Sequence, residues 1–263
     1  EFDAVTTLIG KAFAGTRESE PEPSCQWLLG PQLAGDMDDP RRAEILKFFG
    51  SFDLAIHGHP HRGTVIGMRG DGGSLRSVIV VRRMPKAAPL IDRVWSRPTA
   101  SLSVISRSLA QGTMPSIYTD PALKTTLAAP IDKRGSLAVL PGLEKIHKAH
   151  ADCPHYNVAV AATLPEAQGC GHLSTLMRAV TRRADEEGLP CYLECNGTRN
   201  RAIYMATGLW RWASILLRWR VTSRAARRSP RRLRCGGRRC ELGCWCLVVV
   251  RSPFIAHSAV CYR

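Results

Sequence analysis

The stretch Pro165-Glu166-Ala167-Gln168-Gly169-Cys170-Gly171-His172-Leu173-Ser174-Thr175-Leu176-Met177-Arg178 follows an apolar run, Tyr156 to Ala162, and opens a helical pattern. Leu173, Leu176, Met177, Val180 and Ala184 recur on one face through Glu187, and Gly188 and Pro190 end the element. Cys191 to Cys195 then reads as a second strand. Strand, glycine turn, helix, strand is a βαβ crossover, which makes the two strands a parallel pair.

Such a turn is suited to an anion. The first amides of a helix have no partner within it, and the helix dipole favours negative charge there. Gly169 and Gly171 let a phosphate approach the backbone, Gln168 offers a side-chain donor, and Ser174 or Thr175 offers a hydroxyl. The expected ligand carries phosphates, and the structural alternative is a turn that merely reverses the chain. Two other phosphate loops are excluded: G-x-x-x-x-G-K-[ST] is absent, and G-x-G-x-x-G fails at its last glycine.

The segments around the turn add a resemblance. PEAQGCGHLSTLM, ADEEGLPCYLEC and NRAIYMATGL together resemble the GNAT superfamily of acyl-CoA-dependent N-acetyltransferases. That family's signature, Q/R-x-x-G-x-G/A, maps onto Gln168, Gly171 and, as a departure at the last position, Leu173. Its N-x-x-x-Y-x-x-x-G-F element maps onto Asn200, Tyr204, Gly208 and Leu209. The match spans about residues 143 to 209. The KAF helix, the WLLGP plug, the PRRAEILKFF helix and the GTVIG hairpin resemble the leading elements more loosely.

The resemblance implies a mixed α/β fold whose parallel strands splay apart to admit the pantetheine arm of acetyl-CoA. Ala161, Ala162 and Thr163 would pair with that arm, while Gln168, Gly169, Cys170, Gly171, His172, Leu173 and Ser174 would hold the pyrophosphate. Asn200 shares the face of Tyr204 and joins the cofactor set. The implied reaction is direct attack by a primary amine on the thioester. A backbone N–H near Ala162 would stabilise the oxyanion, and Tyr204 would protonate the departing thiolate. A lysine-like amine is mostly charged near neutrality and needs a base; Glu194 and His155 are the candidates, each read first as structural. The acceptor is an unknown amine, and no metal is expected.

Upstream, helical spacing predicts helices over Phe2–Phe13 and Arg41–Phe52. Between them a turn-rich segment carries Trp27, Leu28 and Leu29 as an apolar plug. Thr64–Arg69 and Ser77–Arg82 read as a hairpin about Asp71-Gly72-Gly73. Prolines break residues 85–135 into short helices and loops, and Leu143–His150 reads as a brief helix with Lys145, His147, Lys148 and His150 on its wet face.

The formal charge of +15 is unevenly placed. Residues 210–263 hold thirteen Arg and one acid, Glu241, leaving +3 for residues 1–209. This tail also holds five of the ten cysteines and no Asp, Asn, Gln, Lys or Met. Its cysteine spacings fit no zinc pattern, and its composition is that of an out-of-frame or disordered segment. The tail's charge is therefore discounted, and no nucleic-acid partner is expected. Residues 1–209 read as the acetyltransferase-like domain with its usual last two strands missing or replaced, and Trp210–Trp219 as an amphipathic helix.

No apolar run is long enough to span a membrane, and a cytoplasmic location is expected, although the chain begins at Glu1. His57-Gly58-His59-Pro60-His61 reads as a solvated loop, and Cys170 as a small residue in the anion loop rather than a redox thiol. Two alternatives stand beside the enzyme: a non-catalytic acyl-CoA-binding module, and a nucleic-acid-binding protein using the basic tail.

Overall fold

The computed structural model describes residues 1–17, 23–58, 63–85, 99, 102–111, 147–196, 198–207, 211–216, 234–235, 238–239 and 244–250. Three helices lead: α1 (Phe2–Ala14), α2 (Pro23–Ala34) and α3 (Arg41–His57). The plug expected at Trp27–Leu29 is part of α2, a correction with a tertiary cause. Cys25, Leu29 and Leu33 recur every fourth residue and are buried against Ile45 and Leu46 of α3. That burial overrides Gly30 and Pro31, which would otherwise mark a turn.

A hairpin follows, β1 (Gly63–Arg69) and β2 (Leu75–Met84), turning through Gly72 and Gly73 at positive φ. Residues 102–110 are helical, as are 147–150. Lys145 and the first half of the helix expected over Leu143–His150 lie outside the described residues. Next come β3 (His155–Thr163), α4 (His172–Glu186), β4 (Cys191–Asn196) and α5 (Thr198–Ala206). Strands β5 (Arg211–Leu216), β6 (Arg234–Cys235), β7 (Arg238–Arg239) and β8 (Cys244–Val250) complete the described chain.

The main sheet runs β1-β2-β3-β4-β8-β5. Its neighbours are antiparallel except β3 and β4, the parallel pair that the βαβ pattern requires. This is a mixed α/β fold. Two strands from beyond residue 209 extend the sheet: β8 pairs with β4, and β5 with β8. The helix expected over Trp210–Trp219 is corrected by β5, whose Trp212 and Ile215 suit a strand once the valine-rich β8 supplies a ladder.

β2 is the buried centre, with Val78, Ile79 and Val80 all fully inaccessible. α4 covers one sheet face, packing Leu176, Met177 and Val180 on Ile79, Val81, Val158 and Leu193. α1 and α3 cover the other, packing Val5, Leu8, Ile9 and Leu54 on Val78, Val80, Val160 and Ala162. Each such aliphatic side chain taken from water contributes about 1.5–3 kcal/mol.

Candidate functional site

The site begins where a strand loses its register. On β2, Val80 pairs with Val160 but Val81 pairs with Val158, so Ala159 is an extra residue without a partner. A bulge of this kind bends its strand and increases its twist. Residues two apart on a regular strand share a face. Here Val158 lies in the cluster under α4 and Val160 in the cluster under α1 and α3, so the bulge has exchanged the faces.

The consequence appears on the other edge of β3. It pairs with β4 at only three positions, Tyr156 with Cys191, Asn157 with Tyr192 and Val158 with Leu193. Beyond them β3 runs on to Thr163 and β4 to Asn196 without pairing to each other. The parallel strands part at the bulge and leave a gap toward their C-terminal ends.

Strand alternation decides which backbone groups face that gap. The Ala162 carbonyl accepts from Ser77 Oγ at 3.1 Å, and the Leu164 amide donates to the Arg76 carbonyl at 3.0 Å, so both residues turn to β2. Ala161 and Thr163 therefore turn the other way, toward the gap. The Thr163 carbonyl accepts from Gln168 Nε2 at 3.5 Å, in keeping with that direction. The Ala162 backbone therefore faces β2 rather than the gap, and its side chain is buried under α1 and α3.

At the wide end lies the glycine turn. Pro165–Ala167 forms a single 3-10 turn, and Gln168 to Gly171 lead into α4. Gly169 and Gly171 have φ of 81° and 77°, left-handed values that glycine adopts without penalty. No side chain caps α4 at Gly171. The first helical bond runs from the Thr175 amide to the Gly171 carbonyl, and among the described residues the amides of Gly169 through Ser174 meet no backbone acceptor. These donors lie at the positive end of a 15-residue helix.

Leu173 packs against the apolar cluster beneath α4, so its departure from the glycine signature does not cross the turn. His172 and Ser174 are half-buried in the first helical turn, and Cys170 is an exposed free thiol whose Sγ approaches the Gln168 carbonyl at 3.8 Å.

Sequence reasoning missed Arg199. From α5 its Nη2 donates to Gln168 Oε1 at 3.1 Å, which brings a guanidinium beside the turn and fixes the amide of Gln168. Nothing in the local pattern around residue 199 points to a partner 31 residues earlier. Asn200, the next residue, is half-buried. Tyr204, one turn further, is buried in the cluster of Leu176, Met177, Leu193 and Cys195.

A second polar group occupies the sheet face opposite α4. Alternation along β4 places Cys191, Leu193 and Cys195 under α4 and turns Tyr192 and Glu194 the other way. Tyr192 Oη donates to Glu194 Oε1 at 2.5 Å. The Tyr192 ring stacks on His147 at 4.4 Å between centroids and meets His155 edge-on at 5.8 Å. The two histidines approach through their Nε2 atoms at 2.9 Å, and His155 Nδ1 donates to the Cys153 carbonyl. His147 is therefore packed against Tyr192, a correction to the wet helix face expected for it.

Burial shifts this group in consistent directions. It raises the Glu194 carboxyl, an effect only partly offset by the Tyr192 hydrogen bond, and it lowers the His155 imidazole. Burial likewise raises the Tyr192 phenol, with the Glu194 charge adding to it. On the other face it pushes the Cys191 thiol up to about 12, which leaves it inert.

Of the three closely spaced histidines, only His57 falls among the described residues, at the end of α3. Those residues contain no group of three or more His, Cys, Asp or Glu side chains placed to hold a metal. None of their helices is long and apolar enough to cross a membrane.

No family model matches the chain, and no curated protein does either. Among solved structures, a polyamine N-acetyltransferase of Drosophila melanogaster that catalyses formation of N-acetylagmatine is similar at 12% identity, over 95% of this chain and 96% of that one, with a TM-score of 0.42. A superposition that loose carries no argument about this chain's reaction.

Proposed function

We propose that this chain is an N-acetyltransferase that moves an acetyl group from acetyl-CoA to a primary amine by direct attack. One observation carries the reading. A bulge at Ala159 ends the β3–β4 ladder after three positions, and the gap it opens leads to a glycine turn at a helix N-terminus whose amides, among the described residues, meet no backbone acceptor. The turn suits the pyrophosphate, and the gap suits an extended arm with amide groups of its own. Gln168 to Ser174 hold the pyrophosphate in this reading, with Arg199 beside it. Ala161 and Thr163 pair with the arm through backbone groups, and Asn200 lies along it.

The chemistry needs little more. The amine nitrogen attacks the thioester carbon, and the oxyanion is met by the Ala161 amide on the open edge of β3. As the C–S bond breaks, Tyr204 gives the thiolate its proton, and the nitrogen, cationic after the free amine has attacked, returns one to the Tyr204 phenolate. Residues 1–209 make up the acetyltransferase domain in this proposal, and 210–263 are an Arg- and Cys-rich tail that lends strands to its sheet.

The burial of Tyr204 among aliphatic side chains favours a second reading, an acyl-CoA-binding module without catalysis. Thiol release from acetyl-CoA, followed in the full chain with and without a mixture of primary amines, separates the two. Amine-dependent release supports the enzyme. Saturable binding without release supports the module.

A further inference from the structure

We propose that Cys195 and Cys246 close a disulfide when the chain meets an oxidant of the peroxide class, fastening residues 210–263 to residues 1–209. The two cysteines lie on opposite sides of residue 209 and are brought together by register. β8 runs antiparallel to β4 with no shift along the ladder, and Cys195 falls directly opposite Cys246. The other two cysteines on these strands have no such partner: Cys191 stands opposite Val250, and Cys244 stands opposite Leu216 of β5.

The spacing of the pair follows from the neighbouring strand. The Tyr156 amide donates to the Pro190 carbonyl at 2.8 Å, so Tyr192 and Glu194 turn their backbone groups to β3, while Cys191, Leu193 and Cys195 turn theirs to β8. Cys195 and Cys246 are thus a hydrogen-bonded pair, for which the Cα atoms lie about 5.5 Å apart. Disulfides span Cα separations of about 4.4–6.8 Å, so the strand spacing admits one. Residues directly opposite each other share a sheet face with Cβ atoms about 4.5–5.5 Å apart, and a disulfide draws them to about 3.8 Å. Closing that last ångström strains the bridge and leaves it readily reduced. The fastening is therefore reversible.

Peroxide takes one of the two thiols to a sulfenic acid and releases water; the other thiolate displaces the sulfenic oxygen, which leaves as a second water. Two electrons pass from the sulfurs to the peroxide, and a dithiol reverses the step. Cys195 lies in the apolar cluster with Leu193 and Tyr204, so the bridge anchors β8 to the core under α4. β5 joins the sheet through β8, and one bond holds both tail strands. The bridge also closes the 50 residues between its ends, which restricts the unfolded chain.

The test uses the full chain, reduced, treated with hydrogen peroxide and digested by trypsin without reductant. Residues 184–199 carry Cys195, and residues 240–251 carry Cys246. These peptides should appear joined in the mass spectrum, with fragment ions placing the bridge at Cys195 and Cys246. The oxidised chain should melt about 4–8 °C above the reduced one, and dithiothreitol should undo both changes. Cys195→Ser and Cys246→Ser should each lose the joined peptides and the rise in melting temperature, whereas Cys191→Ser and Cys244→Ser should keep them. Peptides that stay separate in the oxidised wild-type chain, a bridge through Cys191 or Cys244, or a bridge that leaves the melting temperature unchanged would each overturn the proposal. The wild-type spectrum decides the pairing even where a serine variant fails to fold, and neither readout depends on CoA or on acetyl transfer.

Discussion

Arg199 Nη2 donates to Gln168 Oε1, tying the helix after β4 to the turn before α4. The bond orients the Gln168 amide, whose Nε2 reaches the Thr163 carbonyl at the mouth of the strand gap. A cation held there also raises the positive potential of a turn already at a helix N-terminus.

Replacing Arg199 with Ala should therefore weaken CoA binding by up to about tenfold, the size of one charge-assisted hydrogen bond discounted for exposure. Titration calorimetry reads the change. An unaltered Kd would show that Gln168 is positioned without Arg199.

Tyr204→Phe removes the phenolic proton donor and keeps the ring among Leu176, Met177 and Leu193. Acetyl-CoA affinity should stay nearly constant while acetyl transfer slows by about 10²–10⁴-fold. Single-turnover transfer and the melting temperature are measured together. A lower melting temperature with an intact rate per folded molecule would remove Tyr204 from the chemistry.

Arg42 is a stability test away from the site. Almost wholly buried, it reaches the Leu33 carbonyl at the end of α2 and the Ala14 carbonyl at the end of α1, the negative ends of both helices. Arg42→Met fills much of the volume but strands two carbonyls, at a cost of about 2–4 kcal/mol. Urea denaturation should show that loss. A midpoint unchanged from wild type would mean that water takes over both acceptors.

A chain ending at residue 209 keeps every residue proposed to bind CoA and loses β5 and β8. It should retain CoA affinity and melt at a lower temperature, because β4 gives up its ladder with β8. Loss of CoA binding would show that the tail shapes the site. An unchanged melting temperature would show that residues 1–209 fold without it.

The parts of this account that were legible in the sequence are local. Gly169 and Gly171 announce a turn, α4 shows its apolar stripe, and Cys191–Cys195 follows at crossover distance, so the βαβ unit and its loop could be read directly. The bulge could not. In Val158-Ala159-Val160-Ala161-Ala162 every residue is apolar and no side chain marks Ala159 as unpaired; only the register with β2 does. α2 was hidden by Gly30 and Pro31, whose turn signal yields to burial of Cys25, Leu29 and Leu33. Arg199 with Gln168, and His147 with Tyr192, are contacts between residues separated by whole strands and helices, which local periodicity does not encode.

The central claim is that the glycine turn binds the phosphates of CoA, and Gly171 tests it most directly. The position has a left-handed φ of 77°, and a Cβ there would meet nothing within 4 Å, so a side chain is disfavoured by conformation and would project into the open turn. Gly171→Glu puts a carboxylate where the pyrophosphate is proposed to sit. CoA titrated into the full wild-type chain and into Gly171→Glu should bind the first and give no saturable heat with the second, both being folded by circular dichroism. Equal affinity in the two chains, or no binding by the wild type, would contradict the account.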